Sequence, residues 1–533
     1  MQNVQSIPLV VRVRETCHRA RFNAPSKLQL LALAIIALVS LPLPYLLLRA
    51  LNADTAVFNA NTLRVVWNSV ALAGAVVVSA ALIGVPFAWL TARTNLPFRR
   101  LWLVLGLLPL VIPSYIGTMA LIDVLGPRGV VQGWLEPLGV TRLPSIYGFF
   151  GAWLALTLFT YPYVVLPVRA ALLNMDAALE EAAHSLGLSR WRVFLRVTLP
   201  GLRPSLAAGM LLTALYTLSD FGAVAFMRYD AFTRVIYMQY TNSFDRARAA
   251  ALALVLVALT LGLLVLERRM SAKARNYRIG IGTQRRCCTI PLGAWRIPAL
   301  VFCGVLVTLG VVVPVGVLLK WLSMADSIQP DLIQASLNSV AVSGSAALII
   351  GLAALPLGIL ATRTTVRFNR SLVGLSYIGN VLPGLVIALA LVFFAANATP
   401  ALYQTLPILI LGYATRFLPI SVGATASALT QINPCLDEAG RSLGLRPIQV
   451  AWRITAPLAR TGIFAGIALV FLSAMKELPI TLLLSPTGYT TLATKVWSSY
   501  HQVSFSQIGA PALMLVLLSA VSLYFILYQR KTT

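Results

Sequence analysis

The sequence predicts an all-α, polytopic membrane protein of about twelve transmembrane helices, arranged as two parallel six-helix repeats. Three observations predict it: apolar runs of about 20 residues recur along the 533 residues, one long block of sequence occurs twice, and basic residues gather in alternate connecting loops. At ~1.5 Å per residue, each run is long enough to cross a ~30 Å hydrocarbon core. The chain is 58% hydrophobic and 11% charged, with a mean hydropathy of +0.82. Soluble domains carry about 25% charged residues, so lipid is the solvent this composition fits.

In chain order the candidate spans are 28–48, 66–90, 101–125, 146–166, 205–224 and 249–266, then 298–319, 337–360, 372–394, 406–422, 461–484 and 508–527. The basic stretch up to Lys27 lacks a small-residue cleavage site after its apolar run, so the first span reads as a retained helix. With the N-terminus inside, the cytoplasmic segments hold 30 Lys and Arg and the outer loops 10; Arg416 and Lys476 fall within spans. That threefold bias places both termini in the cytoplasm. The net charge of +26 is therefore a topological signal, and short scattered loops offer no continuous basic face to nucleic acid. Five cysteines are too few and too scattered for a disulfide framework, and the adjacent Cys287 and Cys288 have no further metal ligands near them. His18, His184 and His501 lie in separate segments and form no ligand cluster.

The block NSVALAGAVVVSAALIGVPFAWLTART from Asn68 returns as NSVAVSGSAALIIGLAALPLGILATRT from Asn338. The offset of 270 aligns Pro86 with Pro356, Arg93 with Arg363, and Pro113 with Pro383. Further on the offset is 257, aligning Pro162 with Pro419, Gly187 with Gly444, Pro200 with Pro457, and Asp220 with Glu477. The difference falls in an outer loop, where length changes are tolerated best. An even number of spans per half starts both copies from the same side, so the repeats are parallel. The expected organisation is a cytoplasmic N-terminal segment (1–27), a first helix with its outer loop (28–61), a first transmembrane domain (62–266), a basic cytoplasmic linker (267–296), a seventh helix with its outer loop (297–330), a second transmembrane domain (331–528) and a cytoplasmic tail (529–533).

Between the fourth and fifth spans of each half stands a twenty-residue pattern: EAAHSLGLSRWRVFLRVTLP from Glu181, and EAGRSLGLRPIQVAWRITAP from Glu438. It reads as two short helices across a turn. The first, rich in Ala, Leu and Glu, should stop at Gly187 or Gly444, because glycine takes a left-handed C′ position without steric penalty. Ser189 is placed to cap the second helix, Pro447 suits a first helical turn, and Pro200 and Pro457 should end it. The result is a compact knob on the cytoplasmic side of each half.

These loops resemble the EAA loop of permeases in binding-protein-dependent ABC importers. The resemblance implies that Glu181, Ala182, Ala183, Gly187 and Pro200, with Glu438, Ala439, Gly444 and Pro457, form the ATPase-coupling loops. The second copy departs from the pattern at Gly440, where Ala is usual, and at Ala456, where Leu is usual. In layout the chain resembles fused two-domain permeases of the ferric-iron type, which have the MetI-like transmembrane fold, and SDFGAVAFMRYDAFTRVIYMQY from Ser219 contributes to that likeness. Relatives of similar layout are associated with thiamine, polyamines and phosphonates. The resemblance implies two copies of a cytoplasmic ABC ATPase, a periplasmic substrate-binding protein and a bacterial inner membrane. No GxxxxGK[ST] segment occurs, so the chain is expected to bind no cofactor of its own, and ATP to be used by its partners. A secondary transporter with two six-helix halves is the competing class, against which the twin knobs argue.

Asp220 lies ~22 Å into the fifth span and Glu477 ~24 Å into its counterpart, counting ~1.5 Å per residue. Acids inside a membrane are functional candidates, so the pair marks a candidate translocation path, with a structural or gating role as the alternative. Pairing with Arg228, or contact with headgroup water, would satisfy them. Tyr229, Asp230, Tyr237 and Tyr240 offer hard oxygen atoms suited to Fe(III), or else an aromatic belt. The chain shows no convergent nucleophile and base, and is read as a transport subunit rather than an enzyme.

Overall fold

A computed structural model describes residues 26–51, 59–127, 129–242, 245–272, 289–325, 329–364 and 367–529. Among them the fold is all-helical, with a single isolated bridge between Thr94 and Ile290. In the first half the helices are α1 (Ser26–Ser40), α2 (Pro42–Ala50), α3 (Ala60–Arg93), α4 (Arg99–Leu107), α5 (Ser114–Leu125), α6 (Phe149–Leu173), α7 (Ala177–Ser185), α8 (190–201), α9 (Arg203–Ser219), α10 (Gly222–Phe226), α11 (Phe232–Thr241) and α12 (Arg246–Ala272). The second half has α13 (Gly293–Ser323), α14 (Leu332–Arg363), α15 (Arg367–Ser376), α16 (Gly384–Ala398), α17 (Leu406–Thr430), α18 (Cys435–Ser442), α19 (447–458), α20 (Arg460–Met475), α21 (Pro479–Leu484), α22 (Leu492–His501) and α23 (Ser506–Gln529).

All twelve apolar runs are helical, but they do not make twelve simple spans. Among the described residues, seven helices are long and apolar enough to cross by themselves, and ten if each bent pair counts as one span. The expected third span is broken at Pro113 and its counterpart at Pro383, with bends of 98° and 102°. The cause is local. Proline disfavours helical geometry in the residue before it, and both prolines stand at an N-cap with extended ψ, 138° and 143°. The expected fifth and eleventh spans stop at Ser219 and Met475, just before or at the intramembrane charges, and resume as the short helices α10 and α21.

The longest helices carry the scaffold. α3 has 34 residues and α14 has 32, so at ~1.5 Å each they run to about 50 Å, well past the hydrocarbon core. Asn59 caps α3 by accepting from the Thr62 amide at 3.0 Å. α3 packs on α6 and α9, and α14 on α17 and α20, giving two equivalent bundles. Exposed Leu63, Val78 and Leu82 on α3, and Leu337, Leu348 and Leu352 on α14, suit a lipid-facing side.

The first helical arm of each half reaches over the other half. α1 packs on α14 and α15, where Gln29 donates to Asn369 at 3.1 Å, and α2 sets Tyr45 against Phe394. Reciprocally, α13 packs on α4 and α5. There Lys320 pairs with Asp123 at 2.9 Å, and the Trp321 indole donates to the same carboxylate at 3.1 Å. The two repeats are thus interlocked, and the main hydrophobic cluster draws on both halves. Residues 1–25, most of the linker (273–288, with Cys287 and Cys288) and 530–533 lie outside the described residues. The end of the linker is docked: the Ile290 amide donates to Arg93 O at 2.8 Å and the Leu292 amide to the Asn95 side chain at 2.9 Å. Cys303 is free and buried.

Candidate functional site: twin knobs and a charged seam

The twin loops fold as a helix, a left-handed glycine and a second helix. α7 begins at Asp176, whose side chain accepts from the Ala178 amide at 3.0 Å. Gly187 has φ +81° and Gly444 φ +85°. In the first knob the Leu188 amide donates to Ala183 O and the Gly187 amide to His184 O; in the second, Leu445 donates to Gly440 O and Gly444 to Arg441 O. This is the Schellman arrangement, in which two carbonyls left open by a helix end are satisfied by amides beyond it. The leucine before each glycine is exposed, Leu186 by 83% and Leu443 by 84%, so each turn presents an apolar tip.

Pro200 and Pro457 do not end the second helix as expected. Helical backbone continues through Pro200 to Gly201 and through Pro457 to Leu458, and the break comes at Leu202 and Ala459. A π turn precedes each proline, at Phe194–Thr198 and Ala451–Thr455. The Leu199 amide bonds Phe194 O five residues back, a local loosening that lets a residue without an N–H follow in the helical path. Ser189 stands at the start of α8, where its carbonyl accepts from the Val193 amide at 2.9 Å.

What fixes the knobs to the membrane bundle is a feature the sequence reading missed. Arg93, at the end of α3, forms an ion pair with Glu180, and Thr198 donates to the same carboxylate at 2.9 Å. In the second half Arg363, at the end of α14, pairs with Asp437 at 3.0 Å, and Thr455 donates to Asp437 at 2.9 Å. Both arginine side chains are 5% exposed. The repeat offsets match these residues one for one, so aligned Arg93 and Arg363 were the available signal. The carboxylates sit one residue before Glu181 and Glu438, whose carbonyls accept from Ser185 and Ser442 at 3.0 Å. Ala182 and Ala439 are exposed and Ala183 is buried. The departure at Gly440 has a packing reason: a Cβ there would lie 2.5 Å from Ile454 Cδ1, so the smaller residue accommodates Ile454, which stands where the first knob has the shorter Val197.

The repeated Asn-Ser of NSV also has a physical role. Asn68 donates to Asp230 O at 3.1 Å, Tyr229 donates to Asn68 O at 3.0 Å, and Ser69 Oγ accepts from the Phe232 amide at 3.0 Å. Asn338 likewise donates to Thr490 O at 2.9 Å, Tyr489 donates to Asn338 O at 2.9 Å, and Ser339 Oγ accepts from the Leu492 amide at 2.8 Å. Each clasp ties the base of α11 or α22 to a long helix. Tyr229 is therefore a structural group, Asp230 pairs with Arg234, and Tyr237 packs its ring 4.8 Å from Phe221. Tyr240 lies edge-on to Phe393 with centroids 6.0 Å apart, so each of the four has a partner of its own within the protein.

Asp220 and Glu477 are both 8% exposed and sit at matched helix ends. Neither uses Arg228, whose guanidinium lies 5.1 Å from the Tyr147 ring centroid. Asp220 accepts from the Ser114 hydroxyl and from the Ala223 amide at 2.8 Å. Glu477 pairs with Arg416 at 3.3 Å, and Lys476 donates across the seam to Leu110 O at 2.6 Å. Beside them Phe221 and Phe226 of the first half pack on Trp497 and Tyr500 of the second, with centroids 5.2 and 4.3 Å apart. The acids and these rings therefore occupy the seam between the halves.

Two interlocked bundles, a knob on each and a charged seam define a membrane transport subunit. The chain belongs to the family described as binding-protein-dependent transport system inner membrane component, which it matches twice, over residues 84–276 and 354–532. It is 30% identical to the Fe(3+)-transport system permease protein FbpB 2 of Haemophilus influenzae, over 94% of this chain and 98% of the relative. A ferric transport system permease protein FbpB of Actinobacillus pleuropneumoniae is 24% identical over 87% of this chain and 70% of that protein. The molybdenum transport system permease protein ModB of Escherichia coli is 35% identical over 30% of this chain and 69% of its own length. The chain is thus a fused, two-repeat permease of the ABC importer class, a family that works with an ATPase and a binding protein.

Proposed function

We propose that this permease passes ferric iron from a periplasmic binding protein across a bacterial inner membrane, driven by two copies of a cytoplasmic ATPase. The observation that carries the cargo is the near end-to-end likeness to a ferric permease, over 94% of this chain and 98% of the relative. The fused chain presents two equivalent knobs, which suits one ATPase subunit at each. Glu181, Ala182, Ala183, Gly187 and Pro200, and Glu438, Ala439, Gly444 and Pro457, lie in these coupling elements, with Leu186 and Leu443 at their tips. Asp220 and Glu477 line the path between the halves. ATP hydrolysis belongs to the partners, this chain needs no cofactor of its own, and both termini lie in the cytoplasm.

The test is uptake of radioactive ferric iron in cells lacking this chain, with and without a plasmid copy. Loss of iron uptake and its restoration are expected. Normal ferric uptake alongside lost uptake of thiamine, a polyamine or a phosphonate would reassign the cargo, and transport that needs no ATPase subunit would favour a secondary transporter.

A further inference from the structure

Arg93 and Arg363 are held at the knob end of the bundle by carboxylates, but a partly buried arginine at the same end is not. Arg169, near the end of α6, pairs with no carboxylate among the described residues, and its Nε is buried without a hydrogen-bond partner. The open nitrogen alone does not set it apart, since Arg93 and Arg363 have open nitrogens too. The neighbouring charge does. Each of those two faces an acid, whereas the charge that acts on Arg169 is a second cation, Arg99 at the start of α4. Two guanidiniums side by side repel, and an anion held between them removes that cost.

The surroundings suit an anion. α4 begins at Arg99 with no side chain capping its first amides, so the positive end of the helix adds to the two guanidiniums. Trp102 stands three residues on and shares the face of Arg99, and its indole N–H is buried and donates to nothing. Its ring packs against the apolar cluster that holds Val168 and Leu172 of α6 and Ala299 of α13, so three helices meet here. The chain beside the cations is apolar and exposed, with Phe98 and Leu101 at α4 and Trp295 and Ile297 at α13. Such a wall suits lipid, and rings of this kind settle at headgroup level.

The repeat supplies the comparison that separates this site from the general excess of basic residues at this end. At the same offsets as above, Arg99, Trp102 and Arg169 are replaced in the second half by Asn369, Leu372 and Ala426. There the chain satisfies itself: Gln29 of α1 donates to Asn369, which is fully buried. The residue of α13 that corresponds to Gln29 is Ala299, which has nothing to offer Arg99. One half closes the position with its own side chains, and the other leaves two cations and a free indole donor.

We propose that Arg99, Arg169 and Trp102 form a binding site for the phosphate of one anionic phospholipid, seated where α4, α6 and α13 meet, with its acyl chains along the exposed apolar wall of α4 and α13. The guanidiniums bind the phosphate oxygens, and the indole N–H donates to the headgroup. The site concerns the membrane around the permease, and it is independent of the cargo.

The experiment titrates the purified full-length permease with phosphatidylglycerol, and in parallel with phosphatidylcholine, and counts retained lipid by native mass spectrometry. The wild type should hold one phosphatidylglycerol in preference to phosphatidylcholine. Arg99→Gln with Arg169→Gln should weaken that binding by about tenfold or more. Arg367→Gln with Arg460→Gln removes the same charge from exposed positions at the same end of the second half, and should leave binding within about twofold. Equal weakening by the two pairs would overturn the site in favour of diffuse attraction, and so would equal retention of the two lipids by the wild type. If the first pair does not fold, Arg99→Gln alone, at an exposed position, takes its place and should weaken binding by about fivefold. An unweakened, folded variant would overturn the proposal. Millimolar inorganic phosphate should not displace the bound phosphatidylglycerol; displacement would assign the site to a soluble anion and overturn the lipid.

Discussion

At Gly187 and Gly444 a side chain is disfavoured for a reason that is purely conformational. A Cβ added at either meets nothing within 4 Å, so the cost of substitution is the left-handed backbone itself, about 1–2 kcal/mol for a β-branched residue. Asn visits that region readily. Gly187→Val and Gly444→Val should therefore lower import with the permease still in the membrane, and Gly→Asn at the same sites should retain most of it. Equal loss with Val and Asn would mean that space on the ATPase side, not the turn, sets the requirement. At the seam, Asp220→Asn and Glu477→Gln should each reduce import at unchanged permease abundance; undiminished import in the double variant would remove them from the path. The glycines were legible in the sequence because a positive φ restricts residue type. The partners of the acids were not, because Arg416 and Ser114 reach them through the packing of separate helices.

At the scale of elements, each knob is a helical turn bolted to the end of a long membrane helix. The bolt is an arginine, a carboxylate and a threonine. Breaking a buried ion pair from one side leaves an uncompensated charge and typically costs 3–5 kcal/mol. Glu180→Ala or Asp437→Ala should therefore loosen a knob while the bundle stays folded, seen as reduced retention of the ATPase in copurification; unaltered retention would show that the knob is held by its apolar contacts. The Asn-Ser clasps make a parallel prediction. Asn338→Ala removes the donor to Thr490 O, and the base of α22 should show faster hydrogen exchange than in the wild type. The Asn-Ser pair stood out in the sequence as the start of a repeat, but period alone could not reveal a clasp to residues about 150–160 positions away. The broken spans at Pro113 and Pro383 were hidden for a related reason, since hydropathy measures apolar length and is blind to direction.

For the whole molecule, the reciprocal crossing of α1 with α2 and of α13 makes the two halves one body. Replacing Asp123 by Ala unpairs Lys320 and leaves the Trp321 indole without its acceptor, and the melting temperature of the purified permease should fall by several degrees; an unchanged midpoint would show that apolar contact alone holds α13. The topology prediction belongs here too. A reporter fused after Lys273 should be cytoplasmic and one after Asn397 external, and reversed labelling would invert the orientation of every loop.

The sequence by itself determined the solvent, the duplication, the twin knobs and their left-handed glycines, because each depends on local composition, spacing or backbone sterics. Only the tertiary structure decided how each arm embraces the other half, which arginine bolts each knob, and which cations face the buried acids. Those choices depend on contacts between residues distant in the chain, and such contacts leave no period to read. The repeat alignment came nearest, pairing Asp220 with Glu477. It was the divergence of their surroundings, Ser114 and Phe159 against Gly384 and Arg416, that made two matched positions chemically different.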